Sequence, residues 1–244
     1  MRYFCRVAYD GTGFCGWQYQ PDATSVQQTL DEAAARILRT PVRFTGAGRT
    51  DAGVHAEAMG AHFDYDGILD SYRFTAAMNG VLPHSVAVQS VVKVADDFHA
   101  RFSARGRSYR YTICLSKSPL LACRAWEVRF PVDWAFLKVE LPALLGTHDF
   151  STFCASGSGS ATAECTVTDA TIEKQGECMV FSISANRFVY NMVRSITGTL
   201  VDIGRGKQPL SLETIIERKE RRLAGMTAPA CGLVLTAVTY GEVD

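Results

Sequence analysis

Short strand-like segments and short amphipathic helices follow one another through both halves of this chain, and that mixture confines it to the α+β class. Arg2–Asp10 alternates like a strand, and Gly11–Gly16 breaks it. Thr24 with Gln27 makes a capping-box pattern ahead of apolar Val26, Leu30, Ala33 and Ile37. That spacing predicts a helix ending near Thr40, where Pro41 follows. Val42–Thr45 and Ala58–Asp64 read as strands flanking a glycine-rich turn. A helix around Leu69–Met78 then leads to Asn79–Pro83, and Val86–Val94 is a β-rich run. The second half repeats the rhythm. Ser108–Leu115 is a strand, and Val132–Leu145 a helix disturbed by Pro142. Strands follow at Val167–Glu173 and Met179–Ser184, helices at Arg187–Val201 and Leu212–Leu223, and a closing strand at Leu233–Tyr240. The boundary falls near Ala104–Arg107, giving domains 1–104 and 105–244. Ser156–Ser160 (SGSGS) reads as a flexible loop inside the second half.

Composition narrows the function classes. With 244 residues and 47% hydrophobic residues, the chain can bury a core in each of two domains. Apolar stretches shorter than ten residues are far from the roughly 20 that a membrane helix needs. Met1–Asp10 has no basic start followed by an apolar run and a cleavage site, so a cytoplasmic protein is expected, without membrane attachment. The eight cysteines include no C-x-x-C pair, which suits reduced thiols used as small hydrophobes. Lys+Arg and Asp+Glu balance at 25 each, so bulk charge cannot drive nucleic-acid binding. A local basic surface can. His99–Tyr111 (HARFSARGRSYRY) carries Arg101, Arg105, Arg107 and Arg110 among aromatics and holds no acid, a composition suited to phosphates and stacked bases. A strand with a merely basic face is the plainer reading.

Three segments bear on chemistry. Gly11–Gly16 (GTGFCG) matches G-x-G-x-x-G after a strand, but the next helix begins too late to face a dinucleotide's pyrophosphate. It reads as a plain glycine-rich loop. Gly46–Ala56 (GAGRTDAGVHA) packs Arg49, Asp51 and His55 into seven residues, with Gly48 and Gly53 free to bend the backbone sharply. Such bends would present Asp51 on an exposed turn, where a neighbouring arginine keeps a carboxylate ionised as a nucleophile or general base. A hairpin whose aspartate merely caps the turn is the simpler alternative. Asp51 and His55, with or without His62, have no further carboxylate or histidine at supportive spacing, so no metal is expected. The helix from Arg187 sets Val189, Met192, Val193, Ile196 and Leu200 on one face, leaving Arg187, Tyr190, Asn191 and Arg194 on the other. Arg187 and Arg194, two turns apart, would share that polar face.

Taken together, the chain resembles the TruA family of tRNA pseudouridine synthases over nearly its whole length. The most specific block is Gly48–Ala56 (GRTDAGVHA). Others occur in order: Tyr9–Thr12, Gly16-Trp-Gln, Asn79–Pro83, Asp97–Ser103 (DFHARFS), Tyr109-Arg-Tyr, Phe188–Arg194 (FVYNMVR) and Gly232-Leu-Val-Leu. The resemblance implies two similar α+β halves of ferredoxin/RRM-like form with joined antiparallel sheets and an active cleft between them. It implies a homodimer converting uridine to pseudouridine at positions 38, 39 or 40 of the tRNA anticodon stem-loop, without cofactor or metal. By the same resemblance Asp51 is the catalytic aspartate and Tyr109 stacks on the target uracil. Arg49 fills the space left by the flipped base, and Arg194 pairs with Asp51. Arg101, Arg105, Arg107 and Arg110 are the candidates for tRNA contact. Whether Asp51 attacks the base, attacks C1′ or assists elimination stays open at this level, and Tyr109 is a second candidate for taking the C5 proton. One departure is Ala161–Thr168 (ATAECTVT), where Cys165-Thr166 stands in place of the family's frequent Arg-Thr pair.

Overall fold

The computed structural model describes residues 1–155 and 162–241. The strands are β1 (Arg2–Tyr9), β2 (Thr45–Gly46), β3 (His55–Asp64), β4 (Val86–Val94), β5 (Gly106–Cys114), β6 (Trp126–Glu127), β7 (Gly146–Asp149), β8 (Glu164–Gln175), β9 (Cys178–Ala185) and β10 (Leu233–Thr239). The α-helices are α1 (Val26–Leu38), α2 (Ser71–Val81), α3 (Trp134–Glu140), α4 (Met192–Gly204) and α5 (Leu212–Arg218). Mainly antiparallel strands with interspersed helices make the class α+β, as expected. Contacts divide the chain into two compact units, Met1–Arg105 with the stretch from Val234, and Gly106–Leu233. By sequence, the closing strand is expected in the second half. β10 instead runs parallel to β3, with Val234 opposite His55 and Leu235 opposite Ala56. The Ser156–Ser160 loop lies outside the described residues.

In the first unit the strand order is β4-β1-β3-β10. Central β1 pairs antiparallel on both sides, with Phe4 opposite His62 of β3 and Val92 of β4. Both faces of β1 are covered, so Tyr3, Phe4 and Cys5 are buried in succession and the expected alternation is lost there. On one face Phe63 meets Tyr3, Phe44 and Phe74 at ring separations of 5.7, 4.7 and 5.6 Å. On the other, Phe4 meets Tyr240 and Phe98 at 4.9 and 5.3 Å. Helix α1 contributes buried Val26, Leu30, Ala33 and Ala34.

Two local expectations in this unit are corrected. The cap of α1 is Ser25, whose hydroxyl accepts from the Gln28 amide at 3.2 Å, one position later than the Thr24–Gln27 pattern. Gln27 is instead buried, accepting from the Tyr19 amide at 2.9 Å and donating to the Phe44 carbonyl at 2.7 Å. Of Val42–Thr45, only Thr45 joins the sheet. The reason is in α1: Asp31 accepts from the Phe44 amide at 2.8 Å while Gln27 takes its carbonyl, so side chains replace the ladder there.

In the second unit the order is β5-β9-β8-β7, all antiparallel, with β6 parallel to β5. As Pro142 predicts, α3 stops at Glu140 and a 3₁₀ turn takes over Leu141–Leu144. Helix α5 ends at Arg218, earlier than expected, because Lys219 turns left-handed (φ 54°). The helix read from Arg187 begins only at Met192. Tyr190 gives its carbonyl to the Ala155 amide at 3.1 Å, and Asn191 is left-handed (φ 63°), so no helical turn forms before it. Arg187 and Arg194 therefore do not share a helix face. Nor does α4 keep a solvated face, since residues all round it are buried, from Met192 and Val193 to Val201 and Ile203.

Candidate active site

The Gly46–Ala56 segment is gripped from below by the first glycine-rich loop, and that grip defines the surroundings of Asp51. A turn closes from the Val54 amide to the Asp51 carbonyl at 3.1 Å. Gly53 occupies its third position at φ 79°, a left-handed geometry that glycine adopts without strain. Gly48, expected to share the bending, is not left-handed, and Asp51 is half-buried rather than exposed. The segment ends early, because β3 already begins at His55.

Beneath the turn, Trp17 donates its amide to the Thr50 carbonyl at 3.1 Å, and Gly53 donates to Phe14 at 3.4 Å. Gly16 passes so close that a Cβ there would lie 2.4 Å from the Thr50 carbonyl oxygen. At Gly11 a Cβ would lie 2.1 Å from the Val54 carbonyl oxygen. The loop is in turn held by α1, whose first amides, Val26 and Gln27, donate to the carbonyls of Gly16 and Trp17 at 3.1 and 3.0 Å. These bonds satisfy helix-end donors that otherwise need a cap. Thr50 is buried and its hydroxyl bonds the Tyr9 hydroxyl at 2.8 Å. Buried His55 completes the seat, with Nδ1 3.1 Å from both the Gly11 amide and Asp10 Oδ1. Asp51 thus hangs between a locked threonine and a glycine turn, with Arg49 exposed two residues before it. Tyr9, Gly11, Gly16, Trp17 and Thr50 all fall in the family blocks, but nothing in their spacing marks them as the residues that hold this loop. The G-x-G-x-x-G spacing is visible in the sequence, but what its first and third glycines, Gly11 and Gly16, allow is close backbone approach to another loop.

The remaining candidates lie in both units. Arg101 and Arg105 belong to the first and are exposed; the Arg105 amide donates to the Thr239 carbonyl at 2.8 Å. Arg107, Tyr109, Arg110 and Arg194 belong to the second. On β5, period two places Arg107 and Tyr109 on the face of buried Tyr111 and Ile113, and Arg110 on the opposite face. The basic strand is therefore not one continuous surface. Tyr109 meets Phe188 edge-to-face at 5.1 Å. Tyr111 donates to the Pro229 carbonyl at 2.7 Å, and burial raises its phenol far above the ordinary range, which leaves it a structural donor. Arg194, in the first turn of α4, donates from Nε to the Ala228 carbonyl at 2.8 Å and from Nη1 to Asn191 Oδ1 at 3.0 Å. Two such bonds fix the plane of a guanidinium.

Burial pushes Cys165, at the departure from the family pattern, up to about 11, so it sits there as a neutral thiol. Its neighbour Thr166 exchanges hydrogen bonds with Asn186: the Thr166 amide donates to Oδ1 at 2.9 Å and the Asn186 amide to the Thr166 carbonyl at 3.0 Å. Among the described residues, no group of three or more His, Cys, Asp or Glu side chains gathers as a metal site. Nor is any described helix long and apolar enough to cross a membrane.

Comparison with known proteins accords with this chemistry. A family model described as tRNA pseudouridine synthase matches residues 6–103 and 141–241. A tRNA pseudouridine synthase A of Pelobacter propionicus is 41% identical over 237 residues, covering 96% of this chain and 97% of the relative. One from Parabacteroides distasonis is 39% identical over 243 residues, 99% and 96% of the two chains. One from Pseudoalteromonas atlantica is 41% identical over 245 residues, 99% and 93%. Among solved structures, a chain of a Cbf5-Nop10-Gar1 complex aligns with 97% of this chain and 59% of its own, at 10% identity and a TM-score of 0.41, too slight a likeness to argue from. Matched along both units, and at two fifths identity over nearly its whole length, the chain belongs to the tRNA pseudouridine synthase family and is an isomerase that forms pseudouridine in tRNA.

Proposed function

We propose that the enzyme acts on uridines 38, 39 and 40 of the anticodon stem-loop, with Asp51 as its nucleophile. The observation that carries this reading is the seat of Asp51. A nucleophile must meet its target in one geometry, and a loop held from Gly11, Gly16, Trp17 and Tyr9 provides that. In the reaction the N1–C1′ bond breaks, the base turns and C5–C1′ forms, while C5 loses a proton and N1 gains one. The isomerisation balances without a donor or redox partner.

The target base must first leave its stack, at a cost of a few kcal/mol. Arg49, exposed beside Asp51, is the residue proposed to fill the vacated space. Tyr109 offers a ring oriented by Phe188 for stacking on the uracil. Arg194, its guanidinium plane fixed by Ala228 and Asn191, is the proposed partner of the Asp51 carboxylate. Arg101, Arg105, Arg107 and Arg110 are proposed phosphate contacts, which would position the RNA rather than read its sequence. A cytoplasmic homodimer in which one tRNA touches both subunits completes the reading.

Carbodiimide labelling and primer extension on an unmodified tRNA transcript test it, with wild type and Asp51→Ala side by side. Stops at 38–40 with wild type alone are expected. Stops with both proteins would mean that the nucleophile is another group, and stops only elsewhere would reject the assigned positions.

A further inference from the structure

We propose that Phe102 is a stacking platform for an unpaired base of the tRNA, with Arg101 beside it for an adjoining phosphate. The proposal rests on the family's action on tRNA and assigns a contact outside the residues placed around the target uridine. Phe102 is 77% exposed, and single exposed apolar side chains are common. This one differs in how it is held.

The loop beneath it is fastened at nearly every residue. Arg2 donates to the Phe98 carbonyl at 2.8 Å, and the Ala100 amide donates to His62 Nδ1 at 3.2 Å. Tyr240 donates to the Ala100 carbonyl at 2.9 Å, and the Arg101 amide to His99 Nδ1 at 3.1 Å. Ser103 closes the turn, its amide donating to the His99 carbonyl at 2.8 Å and its Oγ accepting from the His99 amide at 3.0 Å. A loop so tied displays its phenyl ring in a fixed place.

The rings also form a ladder. Buried His62 meets His99 at 4.7 Å, and His99 meets Phe102 at 4.4 Å with planes tilted by 38°. The ladder runs from the core to solvent and ends in an aromatic face. Arg101 places its guanidinium carbon 5.8 Å from the Phe102 centroid. An aromatic face with a cation beside it suits a nucleotide, since every base has a π-face and a neighbouring phosphate. The ordering entropy that usually offsets such a contact is already met by the loop.

The test is filter binding of an unmodified tRNA transcript to wild type, Phe102→Ala, Phe102→Leu and Phe102→Trp. Loss of the ring should raise Kd about tenfold, with Leu as weak as Ala and Trp within about twofold of wild type. Arg101→Gln should weaken binding and flatten the dependence of log Kd on log salt. Equal affinity of Ala and wild type would overturn the proposal, as would Leu matching Trp, since apolar contact rather than stacking would then suffice. A change of mass by light scattering in Phe102→Ala without RNA would assign the ring to a protein interface and also overturn it. Wild type failing to bind the transcript would instead remove the tRNA reading beneath the proposal.

Discussion

Gly16 lies directly against the peptide that joins Thr50 to Asp51. A Cβ on Gly16 would sit 2.4 Å from the Thr50 carbonyl oxygen and 3.1 Å from the Asp51 carbonyl carbon, at a backbone φ of 100°. Gly16→Ala therefore faces both a strained backbone and a backbone clash. We expect a loss of about 3 kcal/mol in stability, and pseudouridine formation slowed about 100-fold in the folded fraction by displacement of Asp51. Urea unfolding and single-turnover assays on tRNA separate the two, and normal turnover would refute the clamp.

Tyr9 and Thr50 tie the same loop to β1 through their hydroxyls, 2.8 Å apart in a buried site. Tyr9→Phe keeps the ring and removes the bond, which should cost about 1 kcal/mol in urea unfolding and lower kcat more than it raises KM. An unchanged kcat would show that Thr50 holds Asp51 without this bond.

Ser195 is the opposite case. Its Oγ is buried inside α4 and, among the described residues, finds no hydrogen-bond partner. Ser195→Ala removes an unsatisfied polar group, improves helix propensity and should stabilise the protein by about 1 kcal/mol. A lower melting temperature would contradict this account.

Half-buried Asp31 and buried His62 give opposite pH slopes. Burial raises Asp31 to about 6 from 3.8, so the folded state holds its proton more readily and stability falls as pH rises from about 4 to 6. Burial, with Arg2 and His99 nearby, lowers His62 to about 4 from 6.5, so the unfolded chain takes that proton first. The stability associated with neutral His62 is complete above pH 6.5 and is lost as pH falls towards 4. Asp31→Asn, which keeps an acceptor for the Phe44 amide, should gain about 1 kcal/mol at pH 7 after allowing for partial exposure. His62→Asn, which keeps an acceptor for the Ala100 amide, should flatten the loss below pH 6.5. Urea unfolding across pH 4–7 checks both, and parallel curves for wild type and His62→Asn would rule out His62 as the source.

The local layout was legible from residue pattern. Apolar spacing located α1, Pro142 the break after α3, and glycine chemistry the turn that carries Asp51. Arg49, Asp51 and the arginine-rich strand stood out for their residue types. Less legible were the points where a distant partner decides. The start of α4 depends on the Tyr190 carbonyl turning to Ala155, and the fate of Val42–Phe44 on Asp31 and Gln27. Neither competition leaves a periodic trace.

By itself, the sequence determined the class of fold, the order of most elements, the glycine turn and the family, because each is written in neighbouring residues. Only the tertiary structure decided that β10 lies beside β3, that α4 is buried all round, and that Gly11–Gly16 is the floor beneath Asp51. Those three depend on which surfaces meet after the chain has closed. Burial on a given face and the approach of one backbone to another belong to pairs of distant segments, and no single segment records its partner.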